Sequence, residues 1–190
     1  MTTTTPAAVL ADSLPAGLVR DASLVAGGAV VTGVLSQVVV PLPFTPVPLS
    51  LGTFAVLLVG ASLGPVRGTL SMLLYLGAGV AGVPWFAEQS AGWHTASFGY
   101  VIGYVLAAGL VGALARRRAD RSPLSMAGAA ALATLAVYAG GVPWLMVSLG
   151  VSLGEALLLG VAPFLLGDVL KAAAAAGLLP AAWRLLGRRD

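Results

Sequence analysis

Asp168 and Lys171 stand three residues apart inside PFLLGDVLKAAAAAGLL (163–179), a stretch with no other charge. On a helix that spacing puts an acid and a base on one face, one turn apart. A charge held in lipid costs about 2.5–3.5 kcal/mol even on the lenient insertion scale, so such residues by default face the protein interior and mark a functional site. The competing reading is a self-neutralising structural pair that only tolerates burial.

The rest of the composition offers few rivals for that pair. Hydrophobic residues make up 58% of the 190 residues and charged residues 9%, against roughly a quarter charged in a soluble domain. The chain is expected to live in a bilayer. It has no Cys, which removes disulfides and thiolate chemistry, and its single histidine, His94, excludes a two-His zinc motif. Glu88 and Glu155 fall in expected outer loops, where solvation accounts for them. No nucleophile with a base in reach is visible, so an enzyme is not expected. The net charge of +3 is too small and scattered for nucleic acid and is better read as membrane topology. One acid and one base also make a poor ion pathway. What fits is a small-molecule pocket: apolar walls and a few convergent polar groups. Trp85, Phe86, Trp93, Phe98 and Tyr100 cluster around the loop on the same side, some as interfacial belt residues.

The elements that must position the pair are six apolar segments, at about 22–40, 49–63, 69–83, 98–115, 124–142 and 163–186. Most approach the ~20 residues needed to cross a bilayer core. The last could instead begin at Ser152, but Trp183, Arg184, Arg188 and Arg189 make a natural interfacial anchor twenty residues after Pro163. That register leaves 144–160 as a connection holding a short helix, SLGEALLLG. Residues 1–21 lack a signal-peptide pattern and read as a cytoplasmic tail with an interfacial turn near Leu14–Val19, ahead of one membrane domain, 22–187. Arg20, Arg67, Arg116–Arg118, Arg121 and the tail arginines all lie on one side of this plan, and loops 41–48, 84–97 and 143–162 contain no Lys or Arg. Both termini are therefore expected in the cytoplasm and the pocket outside. Small residues spaced for close helix packing recur, including Ala22/Ala26 and Ala29/Gly33 on the first helix. An external membrane partner on the Ala22/Ala26 face is as plausible as internal packing.

Four stretches in order carry a family resemblance: PVPLSLGTFAVLLVGASLGPVRG (46–68), YLGAGVAGVPWFA (75–87), SFGYVIGYVLAA (97–108) and GVAPFLLGDVLKAAAA (160–175). The chain resembles the biotin-specific substrate-binding (S) components of energy-coupling-factor transporters, the BioY family. The resemblance implies an all-α bundle of six transmembrane helices in the bacterial cell membrane, with biotin as transported ligand and no cofactor. It also implies a pocket lidded by the loop after the first helix. Asp168 and Lys171 fall on the family's Asp and Lys that hold the biotin head group, and Phe86 and the Ser97–Tyr100 turn map to further ligand contacts. Ser50 and Gly52 stand where the family often has Thr and Gln, so Ser50 joins the expected contacts while a Gln contact is lost or moved. The family works with a transmembrane coupling protein and two cytoplasmic ATPases, and Ala22 and Ala26 would supply the docking face. No GxxxxGK[ST] occurs in this chain, so energy for active transport must come from partners. An S component for thiamine or riboflavin, and a membrane scaffold with a merely structural pair, are the alternatives.

Overall fold

A computed structural model describes residues 8–186. Helix α1 spans Leu18–Ser36, α2 Gly52–Val80, α3 Phe98–Ala115, α4 Pro123–Leu149, α5 Leu153–Gly160 and α6 Leu165–Leu185. Two short strands, β1 (Val39–Val40) and β2 (Leu49–Ser50), lie between α1 and α2. Five stretches among the described residues are long and apolar enough to cross a membrane: α1, α2, α3, α4 and Leu153–Leu185.

The expected first helix ran to Val40, but the chain leaves helix at Ser36. Val39 and Val40 pair antiparallel with Ser50 and Leu49. The four prolines at 41, 43, 46 and 48 explain the change: each disfavours the helical region for the residue before it, and β-branched Val38–Val40 suit a strand. The result is a hairpin over one end of the bundle.

The second and third expected segments are joined more tightly than a loop would join them. Helix α2 is interrupted at one residue, Gly64, with φ 82° and ψ 177°, and Pro65 begins the following half. A Cβ built at Gly68 would sit 3.0 Å from the Cα of Gly60. In an unbroken helix residues eight apart are about 12 Å apart. The halves therefore fold back on each other at Gly64, a turn that needs glycine's positive φ and uses proline where its missing N–H costs nothing. Gly60 and Gly68 also admit α3, because a Cβ at Gly60 would lie 2.5 Å from Val111 Cγ1 and 2.8 Å from the Ala108 carbonyl oxygen.

Helix α4 continues past Val142 through Pro143 to Leu149, so Trp144–Leu149, expected in a connection, is helical. The short helix of that connection is present as α5, started by a reciprocal cap: Ser152 Oγ accepts from Glu155 N–H and Glu155 accepts from Ser152 N–H. Trp183, read as an interfacial anchor, is 2% exposed and donates to Asp120 Oδ2 at 2.5 Å. The Arg121 guanidinium covers its ring at 3.4 Å, so the indole is consumed by packing and a cation–π contact.

The described part of the N-terminal segment, from residue 8, is docked. A single turn, Leu10–Ser13, places Val9 and Ala11 in the core. Asp12 bridges Arg67 Nη1 and Arg116 Nη1, both at 3.0 Å, and accepts from Val9 N–H. Burial alone would raise the Asp12 carboxyl pKa, but the Arg67 hydrogen bond, the Val9 amide and the Arg116 charge together hold it below the ordinary value. A lowered folded-state pKa stabilises above the unfolded value of about 4 and is lost as pH falls through the folded value. Protection from hydrogen exchange at residues 9–14, taken against the intrinsic rate at each pH, should therefore be high at neutral pH and fall on acidification below about pH 4. In Asp12→Asn protection should be low at both; protection that ignores pH and the substitution would exclude a role for Asp12 in docking this segment.

Candidate functional site

Asp168 lies in the first turn of α6, where the helix dipole favours a carboxylate. Lys171 Nζ reaches its Oδ1 at 3.1 Å, and the two side chains are 9% and 11% exposed. The hydroxyl of Tyr138, from α4, donates to the other oxygen, Oδ2. A carboxylate offers about four acceptor positions, so two remain for a ligand.

These groups line a chamber under the hairpin, together with Ser36, Ser50, Thr53, Ser97, Tyr75 and Tyr104. Val47, Leu49, Val101 and Val137 supply apolar wall. Thr45 Oγ1 donates to the Leu159 carbonyl at 2.7 Å, tying the hairpin to the end of α5. Gly52 has no room for a side chain: a Cβ would lie 2.5 Å from the Tyr104 hydroxyl and 2.8 Å from Ser36 Oγ. The hydroxyls therefore converge at a position where only hydrogen fits. Tyr75 stacks on Tyr104 at 6.4 Å, with its own hydroxyl within 3.1 Å of Ser36 Oγ.

Of the residues singled out from the sequence, Asp168, Lys171, Ser50, Ser97 and Tyr100 share this lining. The Tyr100 hydroxyl donates to the Gly160 carbonyl at 2.8 Å, so its ring and an oxygen lone pair are what it offers the chamber. Phe86 stands behind the lining. It is 1% exposed and packs edge-on against Tyr75 at 5.2 Å and against Gly79, while the next residue, Ala87, reaches the chamber. The turn of the chain at Ala87–Gln89, where Glu88 and Gln89 adopt positive φ, directs the Phe86 ring inward. Ala22 and Ala26 are exposed on the outer face of α1. Ala29 and Gly33 are buried, Gly33 under Trp85, so that second pair serves internal packing.

Ser36, Thr53, Tyr75, Tyr104 and Tyr138 of the lining were not anticipated, nor was Gln37 beside it. Tyr138 sits alone in the Ala- and Leu-rich TLAVYAGG, and its phenol in an apolar helix was the only available signal. Gln37, just after α1, donates to the Trp85 carbonyl at 2.8 Å and accepts from Gln89 N–H at 3.0 Å. A lone amide between a helix and a Val run gave no hint of a partner some fifty residues away.

The BioY family model matches residues 2–188. The chain belongs to the BioY family. Over 159 residues it is 37% identical to the "Probable biotin transporter BioY" of Pyrococcus horikoshii, covering 82% of this chain and 91% of that one. It is 31% identical over 140 residues to the "Biotin transporter BioY" of Thermotoga maritima, covering 72% and 81%. A crystal structure of the S-component for biotin from an ECF-type ABC transporter superposes with a TM-score of 0.76 at 23% identity, covering 87% of this chain and 92% of that chain. This BioY member thus shares the S-component fold, and its apolar helices make it a multi-pass membrane protein.

Proposed function

We propose that this BioY protein is the substrate-binding component of a biotin importer in the cell membrane, capturing biotin outside and passing it inward with an energising module. The observation that carries the reading is the Asp168–Lys171–Tyr138 cluster in the chamber under the hairpin. A ureido ring presents two N–H donors and one carbonyl acceptor, which a carboxylate and an ammonium satisfy in turn. Without such partners each buried polar group would cost about 1–3 kcal/mol.

The orientation in this reading is supported by where the charges gather. Arg67 and Arg116 meet on Asp12, Arg20 and Arg67 meet on Asp21, and Arg121 covers Trp183 near the end of α6. The chamber draws on the starts of α2, α3 and α6. Basic residues at one end and the chamber at the other support a cytoplasmic basic end and an outward-facing pocket. Counting the two halves of α2 separately gives six spans, and both termini then fall in the cytoplasm. Partners in this reading are a transmembrane coupling protein, docking on Ala22 and Ala26, and two ATPases.

Calorimetric titration of the detergent-purified protein with biotin, thiamine and riboflavin tests the reading. Saturable tight binding of biotin alone is expected. Preference for another vitamin would reassign the substrate, and binding of none would leave the charged pair a structural element of a scaffold.

A further inference from the structure

A side-chain amide behind the chamber joins three parts of its enclosure. Gln37 follows the last residue of α1 and lies between Ser36, which lines the chamber, and Val38, whose carbonyl accepts from Leu51 N–H at 3.1 Å at the root of the hairpin. Its Nε2 donates to the carbonyl oxygens of Trp85 at 2.8 Å, Phe86 at 3.0 Å and Gly33 at 3.1 Å, the last one turn back on α1. Its Oε1 accepts from Gln89 N–H at 3.0 Å. These partners fix which way the amide faces: turned over, its oxygen would meet three carbonyls and its NH₂ a backbone donor. Gly33 makes the approach possible, because a Cβ there would lie 3.1 Å from Trp85 Cε3.

The segment that Gln37 grips needs an outside hold. Glu88 and Gln89 both have positive φ, 60° and 54°, a conformation that persists in residues with a side chain only where the surroundings impose it. Inside the segment Phe86 N–H donates to the Ser90 carbonyl at 3.1 Å, and Ser90 Oγ donates to the Ala87 carbonyl at 2.7 Å. From outside, Gln37 accepts from Gln89 and donates to Phe86. Ala87, enclosed by these bonds, reaches the chamber, and Gln37 itself does not. We propose that Gln37 is a positioning residue for the ligand: from the end of α1 it holds the Ala87 wall of the chamber in place without touching the bound molecule. The inference rests on the biotin reading, since it needs a ligand whose escape that wall opposes. A wall set free at 86–90 opens a way out and admits water to the Asp168–Lys171 pair, where a higher local dielectric weakens each polar contact. Entry is not obstructed, so the effect falls on dissociation.

Binding kinetics of tritiated biotin on the detergent-purified full chain test this in two variants. Gln37→Leu keeps roughly the volume and removes every hydrogen bond of the amide. Gln37→Glu keeps an acceptor for Gln89 N–H but sets carboxylate oxygen against the three carbonyls. Both should release biotin at least about tenfold faster, with association within about threefold of the unaltered protein. Hydrogen exchange supplies the readout that a merely structural role would not move. Biotin should protect 86–90 in the unaltered protein and fail to do so in the variants, while protection at 39–50 is gained in all three. Without ligand, exchange in α3 and α4 should match throughout. Dissociation within about threefold of the unaltered rate in either variant, or exchange that rises through α3 and α4 together with the loop, would overturn the positioning role alone. An unaltered protein that does not bind biotin would overturn the functional reading and this inference with it.

Discussion

Asp168→Asn should weaken biotin binding by at least about a hundredfold, close to 2.7 kcal/mol. The side chain keeps its volume but exchanges two acceptor oxygens for one oxygen and an NH₂ group. In the native site Oδ1 faces the Lys171 ammonium and Oδ2 faces the Tyr138 hydroxyl, and both of those are donors. With its NH₂ toward Lys171 the amide sets a donor against a donor, with its NH₂ toward Tyr138 it forces the phenol to accept instead of donate, and either way a ureido N–H loses a charged acceptor worth about 1.5–3 kcal/mol. The same substitution strands the Lys171 charge, whose side chain is 9% exposed. Removing one partner of a buried pair costs about 3–5 kcal/mol of stability, whereas replacing both by apolar groups can be nearly neutral. Stability and binding therefore separate in a double variant. Asp168→Asn with Lys171→Met should recover much of the lost thermal stability yet regain no biotin affinity. Calorimetry beside thermal unfolding in detergent reads both. Affinity that returns together with stability would show the pair to be structural, and wild-type affinity in Asp168→Asn would remove it from the site.

How much of this was legible in the residues depended on whether each feature is a local pattern. The long apolar helices were, because apolar length is a property of contiguous stretches. Asp168 and Lys171 were, because two charges in an apolar helix announce their own cost. The Gly64 reversal was visible only as a Gly-Pro pair, which a loop would carry equally well; what closes it is the contact of Gly60, Gly68 and Gly112 around α3. The hairpin was hidden by the apolarity of Val38–Val40, which extends a hydrophobic run whether it is helix or strand. Trp183 had the composition of an interfacial anchor, and only the fold brings Asp120 to its indole from sixty-three residues away. Tyr138 and Asp168 likewise come from different helices, thirty residues apart. Phe86 shows the reverse case, a residue in the right loop whose ring the local backbone turns away from the chamber.

The largest functional effect away from the pocket is expected on α1. Paired Ala22→Trp and Ala26→Trp substitutions should reduce cellular biotin uptake to background while calorimetric affinity stays within about twofold of the unaltered protein, under 0.5 kcal/mol. Both alanines are exposed, one helical turn apart, and neither lines the chamber. Lipid gives no hydrophobic drive for helices to associate, so docking depends on close van der Waals approach across small residues. Two indoles on that stripe hold a partner helix away without touching the ligand. The wall behind the stripe is already committed, since Gly28 packs on Val59 and Ser71, and Gly33 on Trp85; an internal role for Ala22 and Ala26 is left little to pack against. Leu135→Trp, on the exposed face of α4 and 61% exposed, is the matched control and should leave uptake unchanged. Uptake that survives the paired substitution would place the coupling protein on another face. Loss of biotin affinity instead would show that α1 holds the pocket rather than the partner.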